Sequence, residues 1–114
     1  MKDCLFCKIA NGEVKSDFVY EDDEVAAFRD INPQAPVHVL VIPRKHISYV
    51  TDLTGRHGAL LGKLFAAVNV VARREGLEEN GFRVVANCKR DGQQMVLHLH
   101  LHVLGGRQMT WPPG

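Results

Sequence analysis

No charge of either sign dominates the sequence: fourteen Lys and Arg stand against thirteen Asp and Glu, leaving a formal charge of +1. The basic residues are scattered, so no electrostatic footprint for a polyanion exists and general nucleic-acid binding is not expected. Long hydrophobic runs are also missing. The most apolar stretch, residues 58–72, is broken by Lys63 and Asn69 and falls short of the roughly 20 residues that cross a bilayer. The opening Met1-Lys2-Asp3-Cys4 does not lead into the apolar region of an export signal, because Lys8 and Asn11 arrive too early. A cytoplasmic protein is expected. Cysteine is scarce and odd in number, Cys4, Cys7 and Cys88, which argues against a disulfide framework and for thiols used as ligands, redox groups or core filler. Repeats and low-complexity segments are absent. What remains is ordinary globular composition, 46% hydrophobic and 24% charged, with enough apolar surface to fold. The length suits one domain over residues 1–114.

Along the chain, Phe18-Val19-Tyr20 and Val25-Ala26-Ala27-Phe28 flank an acidic turn and read as a hairpin. Two prolines make residues 30–36 a loop, and the β-branched residues 37–42 read as a strand that Pro43 ends. Between residues 51 and 76 the period changes: Leu60, Leu61, Leu64, Phe65, Val68, Val71 and Ala72 recur three and four apart, which predicts the one long helix. Asp52 or Thr54 is its candidate cap, Arg73 and Arg74 suit the last turn, and Gly76 suits its end. His57 is placed on a solvated face. Residues 82–86 and 95–104 read as two more strands around a polar loop. The sum is an α+β domain with a mainly antiparallel sheet.

Six histidines are many for this length. In Leu97-His98-Leu99-His100-Leu101-His102-Val103-Leu104 imidazoles alternate with aliphatic residues, so a strand would present Leu97, Leu99, Leu101 and Val103 on one face and His98, His100 and His102 on the other. Three histidines in register make a surface for chemistry or metal. Ligands at i and i+2 on a flat strand diverge, so one strand histidine joined by ligands from elsewhere suits a metal better than all three. Cys4-Leu5-Phe6-Cys7 is a C-x2-C knuckle whose two thiolates can share one zinc. The same spacing also serves redox pairs, although here it does not follow a strand and open a βαβ helix. Zinc would need two nitrogen partners, His46 and one histidine of the row being the candidates, and four protein ligands would make the site structural.

The string His98-Leu99-His100-Leu101-His102-Val103-Leu104 resembles the His-x-His-x-His motif of the histidine triad (HIT) superfamily. Asp30-Ile31-Asn32-Pro33-Gln34-Ala35-Pro36-Val37-His38, Ile42-Pro43-Arg44-Lys45-His46-Ile47 and the tail from Gly105 to Gly114 are similar to its nucleotide-binding (HINT) branch. The likeness implies a HIT fold, with one long helix and a short N-terminal helix beside the sheet, in a homodimer whose tail, residues 105–114, reaches the partner and carries Trp111 as a possible anchor. It implies a purine nucleoside phosphoramidase that also takes acyl-nucleotidates. By position, His100 would attack the α-phosphorus and form a nucleotidyl-histidine, His102 would bind phosphate and help move protons, and His38 would sit behind His100 and orient it. Asp30 would hold the ribose hydroxyls. Phe6, Ile9, Val14, Phe28 and Ile31 would line the purine slot, and Asn87, Gln94 and Met95 would complete the substrate contacts. The C-x2-C of bacterial relatives maps a structural zinc onto Cys4, Cys7, His46 and His98.

Two departures from the family pattern stand in the loop before the triad. Gln93 replaces an expected glycine, so a positive φ or a close backbone approach there is hindered. Met95 replaces a common serine and removes a hydroxyl donor to the departing nitrogen. The expectation is retained nucleotide binding and His100 chemistry with less preference for poor amine leaving groups. Rivals are a zinc-stabilised nucleotide-binding regulatory module with little turnover and a metallohydrolase using all three strand histidines.

Overall fold

A computed structural model describes residues 3–114; Met1 and Lys2, the head of the segment read as lacking an export signal, lie outside the described residues. The elements are α1 (Leu5–Ala10), β1 (Phe18–Glu21), β2 (Val25–Arg29), β3 (Val37–Pro43), α2 (Gly58–Arg74), β4 (Phe82–Val85) and β5 (Leu101–Gly105). The strands form one antiparallel sheet in the order β1-β2-β3-β5-β4. Asp22 sets the first hairpin, its carboxylate accepting the backbone N–H of Glu24 and of Val25, each at 2.8 Å.

Each face of the sheet is covered by one helix, and the side-chain alternation of the strands sorts residues between them. Val25, Ala27, Val39, Val41, Leu101 and Val103 meet Leu64, Ala67, Val68, Val71 and Ala72 of α2. On the opposite face Ala26, Phe28, Leu40 and Ile42 meet Phe6, Ile9 and Ala10 of α1. Because β3 lies in the middle of the sheet and is buried on both sides, it is apolar on both faces apart from His38.

The long helix lies where its periodicity predicts, but its start differs. Thr54 caps a short 3-10 turn by accepting the N–H of Arg56, Asp52 accepts the N–H of Tyr49, and α2 begins only at Gly58. Phe65, adjacent to Leu64 and therefore about 100° round the helix, is exposed rather than part of the apolar stripe. Gly76 ends the helix at φ +72, with the Leu77 N–H donating to the Ala72 carbonyl. Among the described residues no helix is long and apolar enough to cross a membrane.

The largest correction concerns the last strand. Alternation predicts residues 95–104; the ladder holds only Leu101–Gly105. Residues 96–98 bend as His98 turns toward the cysteines, and the Leu99 N–H donates to Ile47 rather than to a neighbouring strand. The sorting of side chains survives this: Leu99, Leu101 and Val103 join the α2 face, while Leu97, expected with them, is exposed.

Candidate functional site

Two clusters of polar side chains occupy the α1 face. The first is Cys4, Cys7, His46 and His98, whose ligand atoms all lie within 4.8 Å of one another. Cys4 is the N-cap of α1 and its sulfur accepts the Cys7 N–H. His98 Nδ1 lies 3.3 Å from Cys4 Sγ and 3.5 Å from Cys7 Sγ, and His46 Nδ1 lies 3.4 Å from Cys7 Sγ. A tetrahedral zinc with nitrogen at about 2.0–2.1 Å and sulfur at about 2.3 Å sets sulfur–nitrogen edges of roughly 3.5 Å, so the donors already have the right spacing. The tautomers fit too. His98 Nε2 faces the Pro43 carbonyl at 2.8 Å, which can only accept, so the proton is on Nε2 and the Nδ1 lone pair is free. His46 Nε2 lies 2.9 Å from Ser48 Oγ, leaving its Nδ1 toward the sulfur in the same sense. Without a cation, burial and the adjoining Cys4 push the Cys7 thiol up. Four protein ligands including two thiolates leave no open position, so a zinc held here supplies structure rather than reactivity.

The second cluster is Asp30, His38 and His102, with His100 beside it. Hydrogen-bond partners of fixed polarity order the protons. The Gln34 N–H donates to His38 Nδ1 at 3.0 Å, so His38 carries its proton on Nε2, which lies 2.9 Å from His102 Nδ1 and 3.4 Å from Asp30 Oδ2. His102 then accepts at Nδ1 and is protonated at Nε2. That atom is the one buried side-chain nitrogen or oxygen among the described residues that lacks a partner. A cation bound by His38 Nε2 would need the proton moved to Nδ1, against the Gln34 N–H, so this cluster does not fit a metal. His100 is ordered separately: its Nδ1 lies 2.7 Å from the His98 carbonyl and must donate, which leaves the Nε2 lone pair free. His100 Nε2 has no partner either, yet is not among the sealed atoms. Burial, the foremost cause at each, pushes all three rings toward the neutral form, His102 to about 4, where the facing His100 and His38 add to it.

His38, expected behind His100, therefore braces His102 instead, and the His98 carbonyl orients His100. The three triad histidines do not converge on one point: His98 faces the cysteines, and no group of ligand atoms among the described residues unites it with His100 and His102. Phe6 meets His100 edge-on, with ring centroids 5.1 Å apart, and Phe28 at 5.3 Å. Phe6, Ile9 and Phe28 are packed as core, with Val14 against them, so they offer only the border of a filled cluster. Ile31 is 98% exposed beside Asp30, and Asn87 is half-buried in the loop after β4.

The loop before the triad changes the expectation for its residues. Gln93 adopts φ 57 despite its side chain, so the left-handed backbone that glycine would favour is present. Gln94 spends both amide hydrogens on the carbonyls of Ser48 and Val96, at 2.7 and 3.1 Å, and its oxygen accepts the Lys89 N–H. Its side chain thus serves the loop rather than a substrate. Met95 is 87% exposed. Sequence reasoning missed Ser48, whose only signal is its place two residues after His46, and the Pro43 and His98 carbonyls, which no side-chain pattern reveals.

The HIT domain family matches residues 11–109. A 14 kDa zinc-binding protein of Brassica juncea is 50% identical over 114 residues, covering 98% of this chain and 100% of that protein. The purine nucleoside phosphoramidase of Escherichia coli (strain K12) is 44% identical over 108 residues, 95% of this chain and 91% of its own. The solved HIT family hydrolase from Legionella pneumophila Philadelphia 1 superposes with a TM-score of 0.96 at 52% identity, covering 98% of this chain and 100% of that one. With the ordered histidines seated on the same architecture, the chain belongs to the HIT domain family.

Proposed function

We propose that the protein hydrolyses purine nucleoside 5′-phosphoramidates and acyl-nucleotidates through a nucleotidyl-histidine. The observation that carries this reading is the proton order at His100: Nδ1–H is tied to the His98 carbonyl, and Nε2 keeps an unshared lone pair on a ring that burial holds neutral. His100 Nε2 attacks the α-phosphorus and the P–N or P–O bond to the leaving group breaks; a departing amine takes its proton from solvent, and an acyl group departs as the carboxylate. Water then cleaves the phosphorus–nitrogen bond to His100. The unpartnered His102 Nε2–H supplies the hydrogen bond that phosphoryl oxygens need as charge develops, and His38 holds His102 in that tautomer. Asp30 receives the ribose hydroxyls and Ile31 the base edge. Zinc on Cys4, Cys7, His46 and His98 holds this scaffold. Residues 105–114, with Trp111 81% exposed, extend to a second copy in a homodimer.

Rapid quench with adenosine 5′-phosphoramidate, read by intact mass, tests the covalent step. The wild type carries one adenylyl group. His100→Ala carries none and loses turnover by about 10⁴-fold or more, as removal of a covalent nucleophile does elsewhere. Turnover by His100→Ala near the wild-type rate would sink the reading.

A further inference from the structure

The metal cluster and the reactive histidine are joined through the backbone and through two side chains that contact neither metal nor substrate. His98 turns its ring to the cysteines while its own carbonyl accepts the His100 Nδ1–H, so one residue serves both sites. The second connection runs from His46 Nε2 to Ser48 Oγ at 2.9 Å, and from the Ser48 carbonyl to Gln94 Nε2 at 2.7 Å. Gln94 also binds the Val96 carbonyl and the Lys89 N–H, and the Gln94 N–H donates back to the Lys89 carbonyl. Its amide is thus the centre of the loop that leads into the bend at residues 96–98.

That loop needs holding. Lys89 and Gln93 both adopt positive φ, 61 and 57, without being glycine. A Cβ on Gly92 would fall 2.8 Å from the Cys88 nitrogen, so the turn is closed tightly. Non-glycine residues keep such backbone only where surrounding bonds over-determine it, and here those bonds converge on Gln94. Ordering His46 by a metal fixes Ser48, Ser48 fixes Gln94, and Gln94 fixes the loop and Val96 ahead of the triad. A nucleotide seated at His100 would bear on the same segment from the other end, through the bond from His100 Nδ1 to the His98 carbonyl.

We propose that Ser48 and Gln94 are positioning residues that couple metal occupancy at Cys4, Cys7, His46 and His98 to nucleotide occupancy at His100, so that each ligand tightens the other. The inference rests on the reading that nucleotide binds beside His100. Coupling of this kind is reciprocal, so AMP must retain zinc by the same factor with which zinc retains AMP.

The test follows transfer of zinc from the full-length loaded protein to a chromophoric chelator, with and without saturating AMP. In the wild type AMP lowers the equilibrium transfer about fivefold or more, within the usual range of linked sites. In Gln94→Ala the AMP effect falls below about twofold, although zinc binding without AMP stays near wild type. Gln94→Glu keeps the chain length and an acceptor toward Lys89 but loses both N–H donors, and behaves like Gln94→Ala. Ser48→Ala weakens zinc itself by about tenfold or more and loses the coupling, while Ser48→Thr, which retains the hydroxyl, restores both. An AMP effect of wild-type size in Gln94→Ala and Gln94→Glu overturns the proposal, as does AMP binding to the wild type without any change in zinc transfer. If AMP does not bind the loaded wild type at all, the functional reading falls, and the coupling with it.

Discussion

At the residue scale, what organises the chemistry is the polarity of backbone groups that cannot change roles. A carbonyl fixes the proton on His98 Nε2, another fixes it on His100 Nδ1, and an N–H fixes the acceptor on His38 Nδ1. His102 follows from His38, and its ring stands at about 4 because burial and two facing imidazoles penalise its cation more than Asp30 favours it. The unfolded chain, with an ordinary imidazole near 6.5, takes up its proton first as pH falls. The stability that His102 contributes is therefore complete above about 6.5 and drains between there and about 4. The His102 ring resonances are expected to titrate near pH 4, and the unfolding temperature to decline through that window; titration near 6.5 would contradict it. Met95, 87% exposed, has only a weak sulfur acceptor to offer a leaving group. Met95→Ser should raise kcat/KM for a phosphoramidate by about tenfold, the worth of one added donor, and leave an acyl-adenylate within about twofold; equal changes would contradict that role. The C-x2-C, His46 and the histidine row were legible in the residues themselves, because sulfur and imidazole at those spacings admit few uses, whereas Asp30 and His38 came only through the resemblance to the HIT family. Which nitrogen of each ring carries the proton, and that His38 braces His102, was not legible, since the backbone groups of Gln34, Pro43 and His98 decide it and almost every residue has such groups.

At the element scale, period carried most of the fold. Helical spacing marked the buried face of α2, and alternation placed Leu99, Leu101 and Val103 on one face and the histidines on the other. The largest exception lies just before β5. Residues 95–100 have the pattern of a strand yet leave the ladder, because Gln94, His98 and Leu99 bond to the segment around Ser48, Pro43 and Ile47 instead. Period reports which side a residue faces and not whether its backbone is paired. Asp52 and Thr54 carry cap chemistry, but what they cap are the turns ahead of the helix. The buried stripe of α2 gives a direct test of the packing. Leu64 is fully enclosed against the sheet, so Leu64→Ala removes methyl groups and leaves a cavity, at a cost of about 2–5 kcal/mol. Phe65→Ala, on the exposed flank, should cost the isolated chain under about 1 kcal/mol. Chemical denaturation of the two variants separates them, and equal losses would mean that the face is assigned wrongly.

At the scale of the whole molecule, one face of the sheet is held by α2 over seventeen residues and the other by α1 over six. A helix of six residues has no independent stability in water, and α1 buries only Phe6, Ile9 and Ala10. Beyond that packing and the Arg44 guanidinium on the Ala10 carbonyl, it is tied by the pair of cysteines at its start, drawn to His46 beyond β3 and His98 ahead of β5. A metal there closes loops between three distant parts of the chain, and its binding energy is in effect folding energy for the α1 face. Removing it should leave the α2 face intact and loosen α1, the wall that Phe6 provides for His100, and the bend at residues 96–98. Treatment with a strong chelator is therefore expected to lower Tm by at least about 4–8 °C, the shift that about 1 kcal/mol makes in a domain of roughly this size. Amide exchange should rise first in α1 and the segment before β5, with β2, β3 and α2 still protected. Cys7→Ala should reproduce the chelated state, whereas His100→Ala should keep the metal. An unchanged Tm after the metal has gone, or loss of metal in His100→Ala, would show that the cysteines and His100 do not divide the labour in this way.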